Sequence, residues 1–230
     1  MRSFTLNHTT TSTELGLRLT GPVQLPAARR VVDDIEVAGR AGKLTRFGGW
    51  ADTLLALPLA VDTTLGVEAY RKAAIALAKA LTISFSGAPG GFTKVKHAEI
   101  SPLRRELVSW GFFDATLVCE PFTYLDLGLD QHTLTTSGTI TNPGLIESDP
   151  VITLFGTGNL TLTINGTPYR IGAPSGQVTV DSARLVAHVA GQVLTDALTG
   201  EFPTLKPGVN RITLGAGISR VEVVGNWRNL

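Results

Sequence analysis

The sequence predicts a mainly β protein that has one α-helix and is divided into two domains. Three observations support this prediction. Apolar and polar residues alternate along most segments, which places every second side chain on one face of a strand. Residues 67–81 instead repeat their apolar side chains at helical spacing. In the second half, turn signals separate the strand-like runs at intervals of roughly 8–12 residues, as in a β-sandwich.

Four segments of the first half show the alternation of a strand. Their apolar residues are Leu15, Leu17 and Leu19; Ile35 and Val37; Ile83 and Phe85; and Ala115, Leu117 and Cys119. The last of these segments contains few polar residues, so we expect both of its faces to be covered. Cys119 is the only cysteine, and in an apolar strand we expect it to be a buried, unreactive thiol.

The predicted helix spans about residues 67–81. One stripe along it consists of Tyr70, Ala74, Leu77 and Leu81. Glu68 and Lys72 are four residues apart on the opposite face, where they are expected to form a weak ion pair. Thr63 or Thr64 is the expected N-terminal cap. We interpret this segment as a core helix without catalytic chemistry.

The clearest hairpin lies in the second half, at Asn165-Gly166. An Asn-Gly pair between alternating runs favours a type I′ turn, because both turn residues need a positive φ. A two-residue loop pairs Ile164 with Thr167. The same register pairs Leu162 with Tyr169 and Leu160 with Ile171, and we assign these residues to the core face. Pro168 lies on the other face and predicts an edge strand or an unpaired neighbour.

Further strands follow this hairpin to the end of the chain. Their apolar residues are Val178 and Val180, Leu185 and Ala187, Val209, Ile212 and Leu214, and Val221 and Val223. A change of character near residue 131 divides the chain: mixed β structure with one helix precedes it, and β structure alone follows it. We therefore predict domains at residues 1–131 and 132–230.

Composition excludes several classes of protein. Charged residues make up 17% of the chain and the net charge is +1, whereas a typical soluble domain is about 25% charged. With a mean hydropathy of +0.19, the chain is too apolar to be disordered, yet no apolar run reaches the length of a membrane span. There is no basic stripe for sequence-specific nucleic-acid binding. The composition favours a protein that buries apolar surface against other copies or partners.

No residue pattern indicates a catalytic, cofactor-binding or metal site. The four histidines (His8, His97, His132 and His188) lack the spacing of metal ligands. Neighbours such as Asp33 and Asp34 point to opposite faces of a strand. The glycine-rich segments 87–92 and 172–176 match neither a phosphate-binding loop nor a nucleophile elbow. We therefore expect no enzyme activity and no cofactor.

A series of short motifs resembles one known family. In the first half a strand runs into Gly39-Arg40-Ala41-Gly42, and the helix at 67–81 leads into a strand. The second half carries the motifs Asn142-Pro143-Gly144, Gly156-Thr157-Gly158, the Asn165-Gly166 hairpin, Phe202-Pro203 followed by Pro207-Gly208 and Asn210, and a terminal Trp227-Arg228. In this order the motifs resemble the distal tail proteins of tailed bacteriophages, which carry a galectin-like C-terminal domain.

The resemblance implies a structural virion protein at the distal end of the phage tail, made in the cytoplasm of the host bacterium. It implies a hexameric ring of first domains around a channel for DNA, with galectin-like second domains projecting outward. One face of the ring would bind the tail-tube protein, and the other the tail-tip or tail-associated protein. The resemblance identifies no individual residue of the oligomer interface.

An alternative function is a β-sandwich module that binds glycans of the host surface. Such a module needs an exposed aromatic side chain and convergent polar groups. The three tryptophans (Trp50, Trp110 and Trp227) are its candidate platforms, although packing in the core or at a domain junction is the favoured role for them.

Overall fold

A computed structural model describes residues 3–64, 66–105, 109–173, 176–195 and 197–230. The described part of the chain is mainly β, as predicted, and contains one α-helix. It groups into two compact units, Met1–Thr123 with Leu230, and Tyr124–Asn229. The predicted boundary after residue 131 lies within the second of these units. The ring-forming and galectin-like roles assigned to the domains stay predictions.

The strands and the helix of the first unit follow one another along the chain as β1 (Phe4–Leu6), β2 (Thr10–Thr11), β3 (Leu17–Leu19), β4 (Arg29–Ile35), β5 (Leu44–Ala51), β6 (Thr53–Asp62), α1 (Glu68–Ala78), β7 (Thr82–Phe85), β8 (Ala88–Ile100), β9 (Arg104–Arg105) and β10 (Trp110–Leu125). The main sheet has the strand order β2-β1-β7-β8-β10-β6-β3, and β9 pairs with β10. Strands β4 and β5 form a separate two-stranded sheet.

The core of the first unit lies against one face of the main sheet. Alternation is regular along β6 and β10, where Leu55, Leu57, Ala115, Leu117 and Cys119 are at most 1% exposed. The burial of Cys119 agrees with the sequence prediction. On the other face of the same strands, Leu54 is 64% exposed. Coverage of β10 on both faces was expected, and its second face is in fact half-buried at Thr116 and Val118.

Helix α1 is shorter than predicted and begins one residue later. Ala73 and Leu77 are its buried residues, whereas Leu81 lies beyond the helix and is 69% exposed. The predicted stripe is therefore wrong at its C-terminal end, because the chain leaves the helix after Ala78. Tyr70, at the other end, donates a hydrogen bond to the carbonyl oxygen of Ser101 at 2.9 Å.

Two details of the predicted helix are also wrong. The N-terminal cap is Val67, which makes no side-chain capping bond, and neither Thr63 nor Thr64 takes that role. Glu68 pairs with Arg71 at 3.5 Å in an i, i+3 arrangement. Three predicted strand segments are shorter as well, since Leu15 lies in a turn before β3, Val37 lies after the end of β4, and Leu185 lies in a turn before the strand that begins at Val186.

The second unit contains the short 3₁₀-helix Asp126–Leu129 and the strands β11 (Gln131–Leu134), β12 (Gly138–Asn142), β13 (Val151–Gly156), β14 (Gly158–Ile164), β15 (Thr167–Ala173), β16 (Gln177–Asp181), β17 (Val186–Val189), β18 (Gln192–Val193), β19 (Leu198–Thr199), β20 (Gly208–Leu214), β21 (Ile218–Val224) and β22 (Arg228–Asn229). Two sheets have the orders β11-β21-β13-β16-β17-β18 and β12-β20-β14-β15-β19. Their inward-facing side chains share one core, which is the arrangement of a β-sandwich.

The β14–β15 hairpin is formed in the predicted register. Ile164 pairs with Thr167, Leu162 with Tyr169 and Leu160 with Ile171. Asn165 and Gly166 have φ values of 52° and 89°, as a type I′ turn requires. Strand β19 pairs with β15 only at Arg170 and Ile171, so no third strand pairs with Pro168, as the sequence predicts.

The turn before β20 is held by Asn210, which is fully buried. Its Oδ1 accepts hydrogen bonds from the Lys206 N–H at 2.9 Å and from Asn165 Nδ2 at 2.8 Å. Its Nδ2 donates to the Lys206 carbonyl at 2.8 Å. The Asn210 side chain therefore supplies hydrogen-bond partners for the backbone N–H and carbonyl of Lys206 in the Pro207-Gly208 turn. This explains why Asn210 accompanies Pro207-Gly208 in the sequence motif.

Candidate functional site

The surface with the clearest functional character is the two-stranded sheet β4–β5, which we call the ribbon (residues 29–51). Every residue from Arg29 to Gly49 is exposed, and Trp50 and Ala51 at its base are half-buried. An isolated two-stranded hairpin is at best marginally stable in water. A ribbon without a covered face therefore indicates a surface that is completed by another molecule.

Large apolar side chains are concentrated on the ribbon and its flanks. Of the eighteen exposed large apolar residues in the described part of the chain, eight fall between residues 25 and 54, namely Leu25, Val31, Val32, Ile35, Val37, Leu44, Phe47 and Leu54. Phe47 is 63% exposed. Exposed apolar residues that occur singly need no explanation, but a contiguous group marks an interaction site.

One face of the ribbon carries an aromatic cluster around Arg30. The register pairs Val32 with Phe47 and Arg30 with Trp50, and it shifts between these pairs at a β-bulge. The guanidinium carbon of Arg30 lies 5.1 Å from the ring centroid of Trp50 and 6.0 Å from that of Phe47. Trp50 in turn meets the edge of Phe122 at 6.0 Å between centroids. These contacts fix the base of the ribbon but leave Phe47 and Val32 open.

The other face of the ribbon is also partly apolar. Ile35 lies opposite Leu44, and Asp33 lies opposite Arg46. Val31 is on this face opposite the bulge, where a Cβ on Gly48 would meet the Val31 Cβ at 3.3 Å. Glycine thus permits the two strands to approach closely at the bulge. Both faces of the ribbon therefore combine apolar and charged side chains.

The ribbon ends in a tight loop, residues 36–43, which we call the tip. Gly39 and Gly42 both have a φ of 80°, in the left-handed region that favours glycine. Across the tip, Lys43 Nζ lies 3.0 Å from Glu36 Oε1. Within the described residues Arg40 makes no ion pair. The tip therefore carries a small net positive charge and presents a free guanidinium.

The candidate His, Cys and Asp side chains of the sequence do not come together in a metal site within the part of the chain that the structure describes. No cluster of three or more His, Cys, Asp or Glu side chains suited to a metal ion occurs among the residues that the structure describes. His8 packs on Phe92 at 4.7 Å and His132 lies 6.2 Å from Trp227 between ring centroids. Burial raises the pKa of Cys119 to about 11, so this thiol is protonated at neutral pH.

The three tryptophans pack against other side chains. Trp227 is 1% exposed and belongs to the core of the second unit. Trp110 lies beneath the Arg18 guanidinium at 4.9 Å, and Trp50 is held between Arg30 and Phe122. Packing is thus the role of Trp227, as the sequence analysis favours. No described helix has both the length and the apolar character needed to cross a membrane.

Sequence analysis missed the ribbon as a functional surface. The alternation at Ile35 and Val37 predicts a strand, which is present as far as Ile35, but it does not predict that both residues are exposed, at 50% and 43%. A signal was present in the adjacent pair Val31-Val32. Two consecutive apolar residues place an apolar side chain on each face of a strand. A strand with only one face against a core needs apolar side chains on that face alone, so the second apolar face is the signal.

Two solved structures of phage tail proteins have the same fold as this chain. No known protein family matches the sequence, and no curated protein does. Among solved structures, the SPP1 phage Dit protein (gp 19.1), described as a paradigm of the hub adsorption apparatus in phages that infect Gram-positive bacteria, matches with a TM-score of 0.65 and 16% identity over 98% of each chain. A chain of the phage P2 baseplate in its activated conformation with Ca matches with a TM-score of 0.50 and 7% identity over 97% of each chain. The protein therefore has the fold of phage Dit and baseplate hub proteins over nearly its whole length.

Proposed function

We propose that the protein is a structural component of a phage tail and acts as a distal tail hub that assembles into a hexameric ring. The observation that carries this proposal is the exposed apolar ribbon on a chain with the fold of a phage Dit protein. The ribbon supplies a reason to assemble, and the fold indicates the kind of assembly. Catalysis has no part in the proposal.

The size of the apolar surface fits an interface between copies. Eight large apolar side chains, each about half exposed, amount to roughly 250–500 Å² of apolar area, since burial of such a side chain contributes about 1.5–3 kcal/mol at about 25 cal/mol per Å². A stable protein–protein interface buries about 800 Å² on each partner. The ribbon and its flanks therefore account for a large share of one permanent contact.

A ring also fits the asymmetry of this surface. In a cyclic hexamer, one patch on each copy meets a different patch on the next copy, and the contact closes after six repeats. The exposed ribbon supplies one such patch, and a different surface of the next copy would supply the other. The short edge strands β2 and β3 offer further unpaired backbone groups that a neighbouring copy would cover.

In the proposed assembly the ring joins the tail tube to the tail tip or baseplate. One face binds the tail-tube protein, the other binds a tail-tip or tail-associated protein, and DNA passes through the central channel. A net charge of +1 suits a channel that does not hold DNA by counterion release. The galectin-like character of the second unit is part of this proposal.

The glycan-binding alternative receives no support from a particular observation. It depends on an exposed aromatic platform, and Trp227, the only tryptophan of the second unit, is 1% exposed. A sugar ring therefore cannot stack on its indole without unfolding of the core.

Electron microscopy of the purified protein tests the proposal, with the protein imaged alone and after mixing with the tail-tube protein of the same phage. We expect rings with six-fold symmetry and a central opening in at least one sample. A chain that stays monomeric in both samples, or assembles into open filaments or two-fold dimers, would contradict the proposal.

A further inference from the structure

The first unit contains a groove that no role described above explains. Two adjoining cavities, of about 490 and 430 Å³, share Gly16 and Asp62 in their walls. We call the combined cavity the Gly16 groove. Leu15 and Ala69 form apolar wall at one end, and Leu19 and Trp110 form it at the other. The groove is thus concave, with apolar wall at both ends and charged side chains between them, and a concavity of this kind can receive a segment of another chain.

Three carboxylates line the groove, and two of them are held in place by backbone donors. The Thr11 N–H donates to Glu14 Oε2 at 2.8 Å, and the Thr64 N–H donates to Asp62 Oδ1 at 2.9 Å. The Thr11 N–H holds the pKa of the Glu14 carboxyl below its ordinary value, and the Thr64 hydroxyl, together with the Thr64 N–H, does the same for the pKa of Asp62. Glu68 is the third. The groove therefore presents fixed negative charge at neutral pH.

Cations near the groove leave it with a net negative charge. Arg18 and Lys72 are the two cationic residues in its walls, against three carboxylates. The guanidinium of Arg18 is stacked over Trp110 at 4.9 Å. Arg71 lies 3.5 Å from Glu68, in a pair whose side chains are both more than 60% exposed, so water screens this pair strongly.

The tip of the ribbon complements this groove in charge. Its charged residues are Glu36, Arg40 and Lys43, which give a net positive charge. Lys43 is already paired with Glu36, which leaves Arg40 to meet a carboxylate elsewhere. The remaining tip residues are small or apolar, including Ala41 and the 43% exposed Val37.

We propose that the tip of the ribbon of each copy docks in the Gly16 groove of the next copy, with Arg40 near Asp62 and Glu68 and with Val37 against the apolar wall. This inference rests on the ring proposed above and names the surface that receives the ribbon. It gives the ring the two different patches that a cyclic contact requires.

Paired cysteines test the contact directly. The variant Ala41→Cys/Ala69→Cys carries one new thiol on the tip and one in the groove, and the native Cys119 is buried and unreactive. After treatment with a short bismaleimide, we expect a denaturing gel to show a ladder of cross-linked oligomers. Each single variant, Ala41→Cys or Ala69→Cys, is the matched control and should give no ladder.

The outcomes separate the docking site from the ring itself. A ladder that requires both cysteines supports the docking site. A chain that forms rings by light scattering but gives no ladder from the double variant contradicts the docking site and leaves the ring intact. Cross-links from Ala41→Cys alone would show contact between tips and also contradict it. A chain that is monomeric and gives no ladder, both alone and with the tail-tube protein, contradicts both proposals.

Charge reversal provides a second test that does not depend on cross-linking geometry. Arg40→Glu should raise the protein concentration needed for half-assembly by about tenfold, because the new carboxylate would meet the carboxylates of the groove. Adding Glu68→Arg to the same chain should restore assembly. Arg184→Glu is the control, since the Arg184 side chain is 82% exposed in the second unit. The docking site would be contradicted if Arg40→Glu and Arg184→Glu changed the concentration for half-assembly equally, or if Glu68→Arg did not restore assembly of Arg40→Glu.

Discussion

Two hairpins of this protein have similar local structure and opposite surroundings. The ribbon β4–β5 and the hairpin β14–β15 are both antiparallel, and both have glycine with positive φ in the connecting turn. Leu162 in the second is fully buried, whereas Val32 and Phe47 in the first are 48% and 63% exposed. Local pairing and turn chemistry therefore form a hairpin, but only its neighbours decide whether its apolar side chains belong to a core or to an interface.

The largest difference between the hairpins should appear in the effect of alanine on folding. Leu162→Ala removes a side chain from the sandwich core and should lower the free energy of unfolding by about 2–5 kcal/mol. Val32→Ala, the matched change in the ribbon, should change it by no more than about 0.5 kcal/mol, because no core side chain loses a contact. Urea denaturation of both variants at a concentration where the chain is monomeric measures these values. Similar losses in the two variants would mean that the ribbon is part of the core.

The turn network of the second unit should give the next largest effect. Asn210→Ala removes a fully buried amide and leaves the Lys206 N–H and carbonyl without their partners. We expect a loss of about 1–3 kcal/mol in the free energy of unfolding. Asn159→Ala is the control, since Asn159 is an exposed residue of the neighbouring strand β14. If Asn210→Ala is as mild as the control, the hydrogen bonds do not hold the turn.

The two turns themselves should respond differently to the same substitution. Gly166→Ala forces a φ of 89° on a residue with a Cβ and should destabilise the chain by about 1–2 kcal/mol. Gly42→Ala imposes similar local strain at a φ of 80°, but in the ribbon the turn opens without loss of the core. We therefore expect its global unfolding midpoint to match that of the wild type. Hydrogen exchange of the ribbon amides would then be faster than in the wild type.

The reactivity of a thiol should also differ between a buried core strand and the exposed ribbon, and this is the smallest of the expected effects on the protein. Burial keeps Cys119 protonated and inaccessible, with a pKa of about 11, so a maleimide at pH 7 should modify it only after unfolding. In Val32→Cys the new thiol is exposed in the monomer and should react within minutes. Mass spectrometry of the two sites at a low protein concentration measures the rates. Rapid modification of native Cys119 would contradict the burial described for β10.

Most of the fold could be predicted from sequence because it depends on local patterns. The Asn165-Gly166 turn sets the register of β14–β15, and alternation identifies the buried face of β10. The C-terminal end of α1 could not be predicted in this way, since Leu81 continues the apolar stripe although it lies outside the helix. The ribbon was missed for a related reason. Periodicity at Ile35 identifies the faces of a strand, but it contains no information about what covers them.

The groove was also beyond the reach of sequence analysis. Gly16 lies far from Asp62 and Glu68 in the chain and reaches them only because β3 pairs with β6, which α1 follows. Hydrogen bonds that orient Glu14 and Asp62 depend on local turns at Thr11 and Thr64, which single-residue preferences do not specify. A single sequence therefore gives the class of fold, but it does not give the surfaces that assemble.

The most direct test of the account is the molar mass of the intact protein in solution, measured by multi-angle light scattering for the wild type and for Val32→Asp/Phe47→Asp. We predict a hexamer for the wild type, and a monomer with an unchanged unfolding midpoint for the variant, because two buried carboxylates would disrupt the ribbon contact but not the core. A wild type that is monomeric both alone and with the tail-tube protein, or a variant that assembles as the wild type does, would contradict the claim that the apolar ribbon is covered by another copy of this chain.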